Sequence, residues 1–226
     1  MRHTSIALLL LLLCACTQDS SPDAAAASSY DWPNYANDPG SSKYADLEQI
    51  NRDTVAQLEI AWVWESVDNA AVAERPQFVP SGFKATPIKI GDTLYVSTPL
   101  GHVVALDATS GEQKWVFNTL TWEHGRPANN GFNHRGVTYW EKQGEDGVEP
   151  RIILGTANAF LWSLDAETGE ELWRTQLSGE VLAIPVSDGS LTIFQTQDGH
   201  VVALDAATGE QRWDFETPVP TLTLRG

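Results

Sequence analysis

The chain has 226 residues, of which 30 are acidic and 14 basic, for a formal net charge of −16 at pH 7. A surface of that sign repels phosphates and anionic headgroups, which excludes nucleic acid as a partner. The two cysteines, Cys14 and Cys16, are neighbours near the N-terminus, so no disulfide framework staples the remainder.

In chain order, Met1-Arg2-His3 places a positive charge ahead of an apolar run from Ile6 to Leu13. That is the pattern of a secretory leader, too short to span a bilayer as a mature helix. Leu13-Cys14-Ala15-Cys16 resembles the lipobox of bacterial lipoproteins. The resemblance implies removal of residues 1–15 as a lipoprotein signal peptide, acylation of Cys16 and attachment to the membrane through that lipid. Thr17, following the cysteine, points by the same resemblance to the periplasmic side of the outer membrane. An ordinary signal peptide cut after Ala15 or a few residues later is the alternative. Residues 16–30 carry almost no large apolar side chain and read as a flexible tether.

The strongest signal is internal repetition. Gly101 to Trp115 matches Gly199 to Trp213 at 12 of 15 positions, and a third copy runs from Ala159 to Trp173. In each copy an apolar strand such as Val201-Val202-Ala203-Leu204 meets an Asp-x-x-Thr/Ser-Gly loop. The aspartate can accept backbone N–H groups two residues on, and the glycine supplies the positive φ that closes a short hairpin. The following strand carries a tryptophan that one four-stranded sheet cannot bury, so stacking on a neighbouring sheet is expected. The segments Asp92 to Ser97 and Asp188 to Phe194 predict a further strand in the first and last copies.

The pattern Ala-x-Asp-x-x-Thr/Ser-Gly-x-x-x-Trp, present at Ala105 to Trp115 and Ala203 to Trp213 and with serine first at Ser163 to Trp173, resembles the tryptophan-docking motif of pyrroloquinoline-quinone (PQQ) propellers. This implies an all-β fold, a partial β-propeller of about three blades over residues 31–226, with Trp115, Trp173 and Trp213 as structural docking residues. Known propellers close with ~4–8 blades. Three repeats therefore predict an incomplete arc of a seven- or eight-bladed ring, inactive alone, or one that self-associates.

From Asp31 to about Asp165 an ordered series resembles the start of a PQQ-dependent, glucose-dehydrogenase-like quinoprotein. It includes Trp32-Pro33-Asn34-Tyr35, Asp38-Pro39-Gly40, Leu58-Glu59-Ile60-Ala61-Trp62, Ala85-Thr86-Pro87 and Arg135-Gly136-Val137-Thr138-Tyr139-Trp140. The resemblance implies oxidation of a sugar or alcohol with PQQ, and with calcium in a complete relative. Residues 121–151 form an insertion too long for a plain hairpin, holding His124, Arg126, His134 and Arg135. PQQ carries three carboxylates, and a guanidinium binds a carboxylate through paired, charge-assisted hydrogen bonds. By resemblance Arg135 is the cofactor-contacting arginine; a surface ion pair with Glu141 or Glu145 is the alternative. The family's histidine four residues earlier is Gly131 here, which leaves His134 as its substitute or as a solvated loop residue. Thr156 resembles a PQQ-contacting threonine, or is an edge-strand threonine. No catalytic residue and no metal ligand is assigned.

Beyond about Leu172 the chain resembles the outer-membrane protein assembly factor BamB, a lipoprotein propeller without a cofactor. Leu222-Thr223-Leu224-Arg225-Gly226 is similar to its partner-binding loop, which implies that Leu222, Leu224 and Arg225 contact an outer-membrane assembly partner. A strand leading into a further blade is the other reading.

Overall fold

The computed structural model describes residues 30–38, 40–127, 131–144, 147–181 and 183–218. Cys16 and the residues Leu222, Leu224 and Arg225 lie outside them, as do the leader and nearly all of the tether. Among the described residues no helix is long and apolar enough to cross a membrane.

Three four-stranded sheets follow one another along the chain. The first holds β1 (Ile88–Ile90), β2 (Thr93–Ser97), β3 (His102–Asp107) and β4 (Gln113–Asn118). The second holds β5 (Thr138–Gly144), β6 (Gly147–Gly155), β7 (Phe160–Asp165) and β8 (Glu171–Gln176). The third holds β9 (Val186–Asp188), β10 (Leu191–Gln195), β11 (His200–Asp205) and β12 (Gln211–Glu216). Each is an antiparallel meander in chain order, as expected for propeller blades. A short helix, α1 (Asp68–Glu74), precedes the first blade.

The repeated turn works as its residue types require. In the three copies the Oδ1 atoms of Asp107, Asp165 and Asp205 accept N–H groups two and three residues on, at 2.7–3.0 Å. Gly111, Gly169 and Gly209 close the turns at φ of 73°, 76° and 75°, where a side chain is strained. Across the hairpin the motif's first residue pairs with its tryptophan: Ala105 with Trp115, Ser163 with Trp173 and Ala203 with Trp213. A small residue there leaves the large ring room to lie over the sheet.

Each indole then leaves its own blade. Trp115 Nε1 donates to the Ala166 carbonyl of the second blade at 3.0 Å, and Trp173 Nε1 to the Ala206 carbonyl of the third at 3.2 Å. The rings lie so close to the next turn that a Cβ on Gly169 or Gly209 would stand 2.6 Å from Trp115 or Trp173. Glycine is thus required twice at these turns, for its φ and for the space. A further docking residue, not picked out by the repeat, is Trp62. Its Nε1 donates to Ala108 O at 3.3 Å, and a Cβ on Gly111 would meet its ring at 2.4 Å.

The core consequently sits between blades. Val103 and Ala105 of the first blade pack with Ile152, Leu154 and Leu164 of the second, with Trp115 against them. Ile153 and Leu161 pack with Phe194, Val202 and Leu204 of the third, with Trp173 against them. Trp62 and Trp64 cover the opposite face of the first blade over Val96, Val104 and Leu106.

Trp213 is 41 % exposed, whereas Trp115 and Trp173 are partly buried. In urea denaturation Trp115→Ala should therefore lower stability by roughly 3 kcal/mol, read as a midpoint shift at constant slope. Trp213→Ala should cost under about 1 kcal/mol, as for a surface substitution. Equal large losses would mean that Trp213 is buried in solution, as in a self-assembled ring.

Candidate functional site

The chain entering each blade converges on one cleft of about 610 Å³. Thr86 precedes β1, Arg135 precedes β5, and Ile184 and Pro185 precede β9; all line it, with Asn34 and Tyr35 across from them. Pro87 and Pro185 hold the residues before them extended, which suits a segment about to enter a strand. The Thr86 N–H donates to Arg135 O at 3.1 Å, and the Thr138 hydroxyl donates to Pro185 O. Gly136, at φ 145°, permits this approach: a Cβ there would lie 3.1 Å from Thr86 O and 3.2 Å from Ile184 Cδ1.

The electrostatics of the cleft oppose those of the chain. Lys84 and Arg135, both exposed, line it, and among the described residues no aspartate or glutamate does. Outside the lining, Lys43 Nζ stands 5.4 Å from the ring centre of Tyr35. Among the described residues Arg135 has no salt-bridge partner, and Glu141 instead accepts the Tyr139 hydroxyl at 2.8 Å. Two cations thus line this cleft in a chain of net charge −16, with no carboxylate beside them among the described lining residues.

Arg135 is the sequence-derived candidate that lines this cleft; the other two lie elsewhere. His134 is turned inward, 7 % exposed. Near it Asp68, at the start of α1, accepts the Leu100 N–H at 2.9 Å and pairs with His102 Nδ1 at 2.8 Å. Burial holds the His134 pKa down to about 4; Asp68 draws it up and His102 opposes that, but burial dominates. Thr156 is fully buried, with its hydroxyl against Asn158 Oδ1 at 2.5 Å and Phe160 O at 3.1 Å, inside the β6–β7 turn. Sequence reasoning missed Lys84, Asp68 and His102. Only His102 carried a signal, its recurrence with His200 in the repeat. Among the described residues no group of three or more His, Cys, Asp or Glu side chains is arranged to hold a metal ion.

The buried His134 has a pH signature. Its folded pKa of about 4 lies below the ordinary 6.5, so the unfolded chain binds a proton that the folded chain refuses between those values. The stability it contributes is present above pH 6.5 and is lost as pH falls towards 4. The loss at pH 4.5 should be about 2–3 kcal/mol. His134→Gln should flatten that part of the urea-midpoint profile between pH 7 and 4.5; an unchanged slope would place His134 in water.

Two family models match the chain. One, described as the glucose/ethanol/alcohol dehydrogenase β-propeller domain of PQQ proteins, covers residues 32–182. The other, outer membrane protein assembly factor BamB, covers residues 143–226. The chain is 32 % identical to the quinoprotein glucose dehydrogenase of Escherichia coli, over 88 % of this chain and 29 % of that protein. It is 29 % identical to BamB of Burkholderia pseudomallei, over 63 % of this chain and 32 % of that protein. The crystal structure of quinohemoprotein alcohol dehydrogenase from Comamonas testosteroni superposes with a TM-score of 0.68 at 26 % identity, over 83 % of this chain and 27 % of that one. The chain thus spans about a third or less of the length of the relatives it matches. With a match that runs through the first two blades and both segments bearing Arg135 and Lys84, the chain belongs to the PQQ-dependent glucose/ethanol/alcohol dehydrogenase β-propeller family.

Proposed function

We propose that this chain supplies part of the PQQ site of a quinoprotein dehydrogenase acting on a sugar or alcohol, and that its task there is to bind and orient the cofactor. The observation that carries this reading is the cleft lined by Lys84 and Arg135 and, among the described residues, by no acid. The donor set fits the cofactor: a guanidinium and an ammonium meet carboxylates, while Asn34, Tyr35 and Ser187 offer neutral hydrogen bonds around a planar body. When bound, PQQ supplies the two-electron oxidation of a carbinol. Arg135 holds a carboxylate through its fork of N–H donors, and Lys84 adds a compact charge beside it. Ile184 and Pro185 present an apolar wall that excludes water from one side.

The described lining holds no imidazole or carboxylate to take the substrate's hydroxyl proton, so these residues bind the cofactor without turning substrate over. PQQ titrated into the protein should quench tryptophan fluorescence saturably. Arg135→Ala should weaken binding at least tenfold, or about 1.4 kcal/mol, and rising salt should weaken the unsubstituted protein's binding. A dye-linked assay with PQQ, calcium and glucose or ethanol should show no turnover. Unchanged binding in Arg135→Ala, or saturable turnover, would contradict the proposal.

A second reading is favoured by the BamB match over residues 143–226. On it the chain is a noncatalytic scaffold of outer-membrane barrel assembly, anchored on the periplasmic side through a lipid on Cys16. Leu222, Leu224 and Arg225 then meet the assembly partner. That reading expects no saturable PQQ binding, so the same titration separates the two.

A further inference from the structure

The second blade departs from the other two on one face. At the start of the third strand the first and third blades both read His-Val-Val, as His102-Val103-Val104 and His200-Val201-Val202, whereas the second reads Phe160-Leu161-Trp162. The outer two residues of each triplet share a face, because side chains alternate along a strand. Across the sheet Phe160 pairs with Gln176 and Trp162 with Arg174, where the third blade pairs His200 with Glu216 and Val202 with Asp214. The histidines of the other blades are tied to acids, His102 to Asp68 at 2.8 Å and His200 to Asp214 at 2.7 Å. The second blade replaces that arrangement with two aromatic rings, a guanidinium and an amide.

This face forms one wall of a cleft of about 640 Å³, whose other wall is the end of β4, with Phe117 and Asn118. Phe117 meets Trp162 edge-on at 5.3 Å, and Phe160 lies 5.8 Å from it. Arg174 stacks on the Trp162 ring at 5.3 Å. Around these rings stand amides fixed by the protein. Asn118 Oδ1 accepts the Leu120 N–H at 2.9 Å, and Asn158 Oδ1 accepts from the hydroxyls of Thr156 at 2.5 Å and Thr121 at 3.2 Å. These bonds fix each amide through its carbonyl, and its NH₂ group has no acceptor among the described residues. Trp162 is 5 % exposed, and its Nε1 is buried with no acceptor among the described residues.

Half-buried aromatic rings beside fixed planar amides match a molecule with a C–H face and a hydroxylated edge. An anionic ligand is disfavoured because Arg174 is already paired with Glu171 at 3.6 Å and the chain is strongly acidic, and a hydrocarbon is disfavoured by the polar rim. We propose that this cleft, distinct from the one at Arg135, binds a neutral sugar ring, either as a free monosaccharide or as one unit of a glycan chain. Phe117 and Phe160 stack on the C–H face, and Asn118, Asn158 and Gln176 take the hydroxyls.

The test is a titration of the full chain with glucose, N-acetylglucosamine and their linear oligosaccharides, followed by tryptophan fluorescence and calorimetry. At least one should saturate in the millimolar range; tighter binding of oligosaccharides identifies a glycan chain, and equal binding a free sugar. The double variant Arg174→Ala/Gln176→Ala, confined to exposed rim residues, should keep its urea midpoint and bind at least tenfold more weakly. Phe160→His/Trp162→Val, which installs the residues of the other two blades, should abolish binding. PQQ binding should be unaffected in the rim variant, so the two sites fail or hold separately. No saturation by any sugar up to about 100 mM, undiminished affinity in the rim variant, or saturation by an aromatic tripeptide and by no sugar would overturn the proposal.

Discussion

Every blade here carries an indole that its own sheet cannot cover, and the structure depends on where that indole goes. In the first two blades the ring lies on the Thr-Gly turn of the next blade and its N–H meets a carbonyl there, while Trp213 of the third stays 41 % exposed. Removing about half of an indole's surface, roughly 100 Å², from water contributes about 2.5 kcal/mol, and the hydrogen bond about 1 kcal/mol more. Per junction that is a sizeable share of a domain's net stability. Because the contact is made forward along the chain, it also fixes the angle between successive blades. The apolar clusters between sheets follow from that angle rather than from any central core.

The same geometry creates both clefts. Stacked blades bring the segments entering their first strands together, which sets Lys84 and Arg135 at one wall although they are 51 residues apart in the chain. The end of β4 meets the second blade at Phe117 and Trp162, and the aromatic cleft lies beside that contact. One cleft is lined by Lys84 and Arg135, the other by aromatic rings and amides with Glu171 and Arg174 at its rim, so their difference lies in side chains and not in the fold.

The blades were legible in the sequence because their determinants are local. Asp107, Asp165 and Asp205 with their glycines define turns, and the tryptophan spacing defines the repeat. Trp62 was harder: it docks as the others do, but no Asp-x-x-Thr/Ser-Gly turn precedes it in the chain. Arg135 was legible through its context, whereas Lys84 was not, since nothing local to Lys84-Ala85-Thr86 distinguishes it from a solvated lysine. His134 shows the limit most clearly. A polar insertion with two neighbouring cations reads as one surface patch, yet the backbone sends Arg135 into the cleft and His134 inward towards Asp68 and His102. Which of two adjacent side chains is buried depends on what packs above them, here α1, whose position no residue near His134 encodes.

The central claim is that indole and glycine act as one unit across each junction. A double-mutant cycle between Trp115 and Gly169 tests it, with stabilities taken from urea denaturation. Gly169→Ala places a methyl group 2.6 Å from the Trp115 ring and strains a φ of 76°. Its cost should fall by at least about 1 kcal/mol once Trp115 is alanine, leaving only the strain of the turn. Additive losses, with Gly169→Ala costing the same in both backgrounds, would show that the ring does not lie on the turn and would contradict the account.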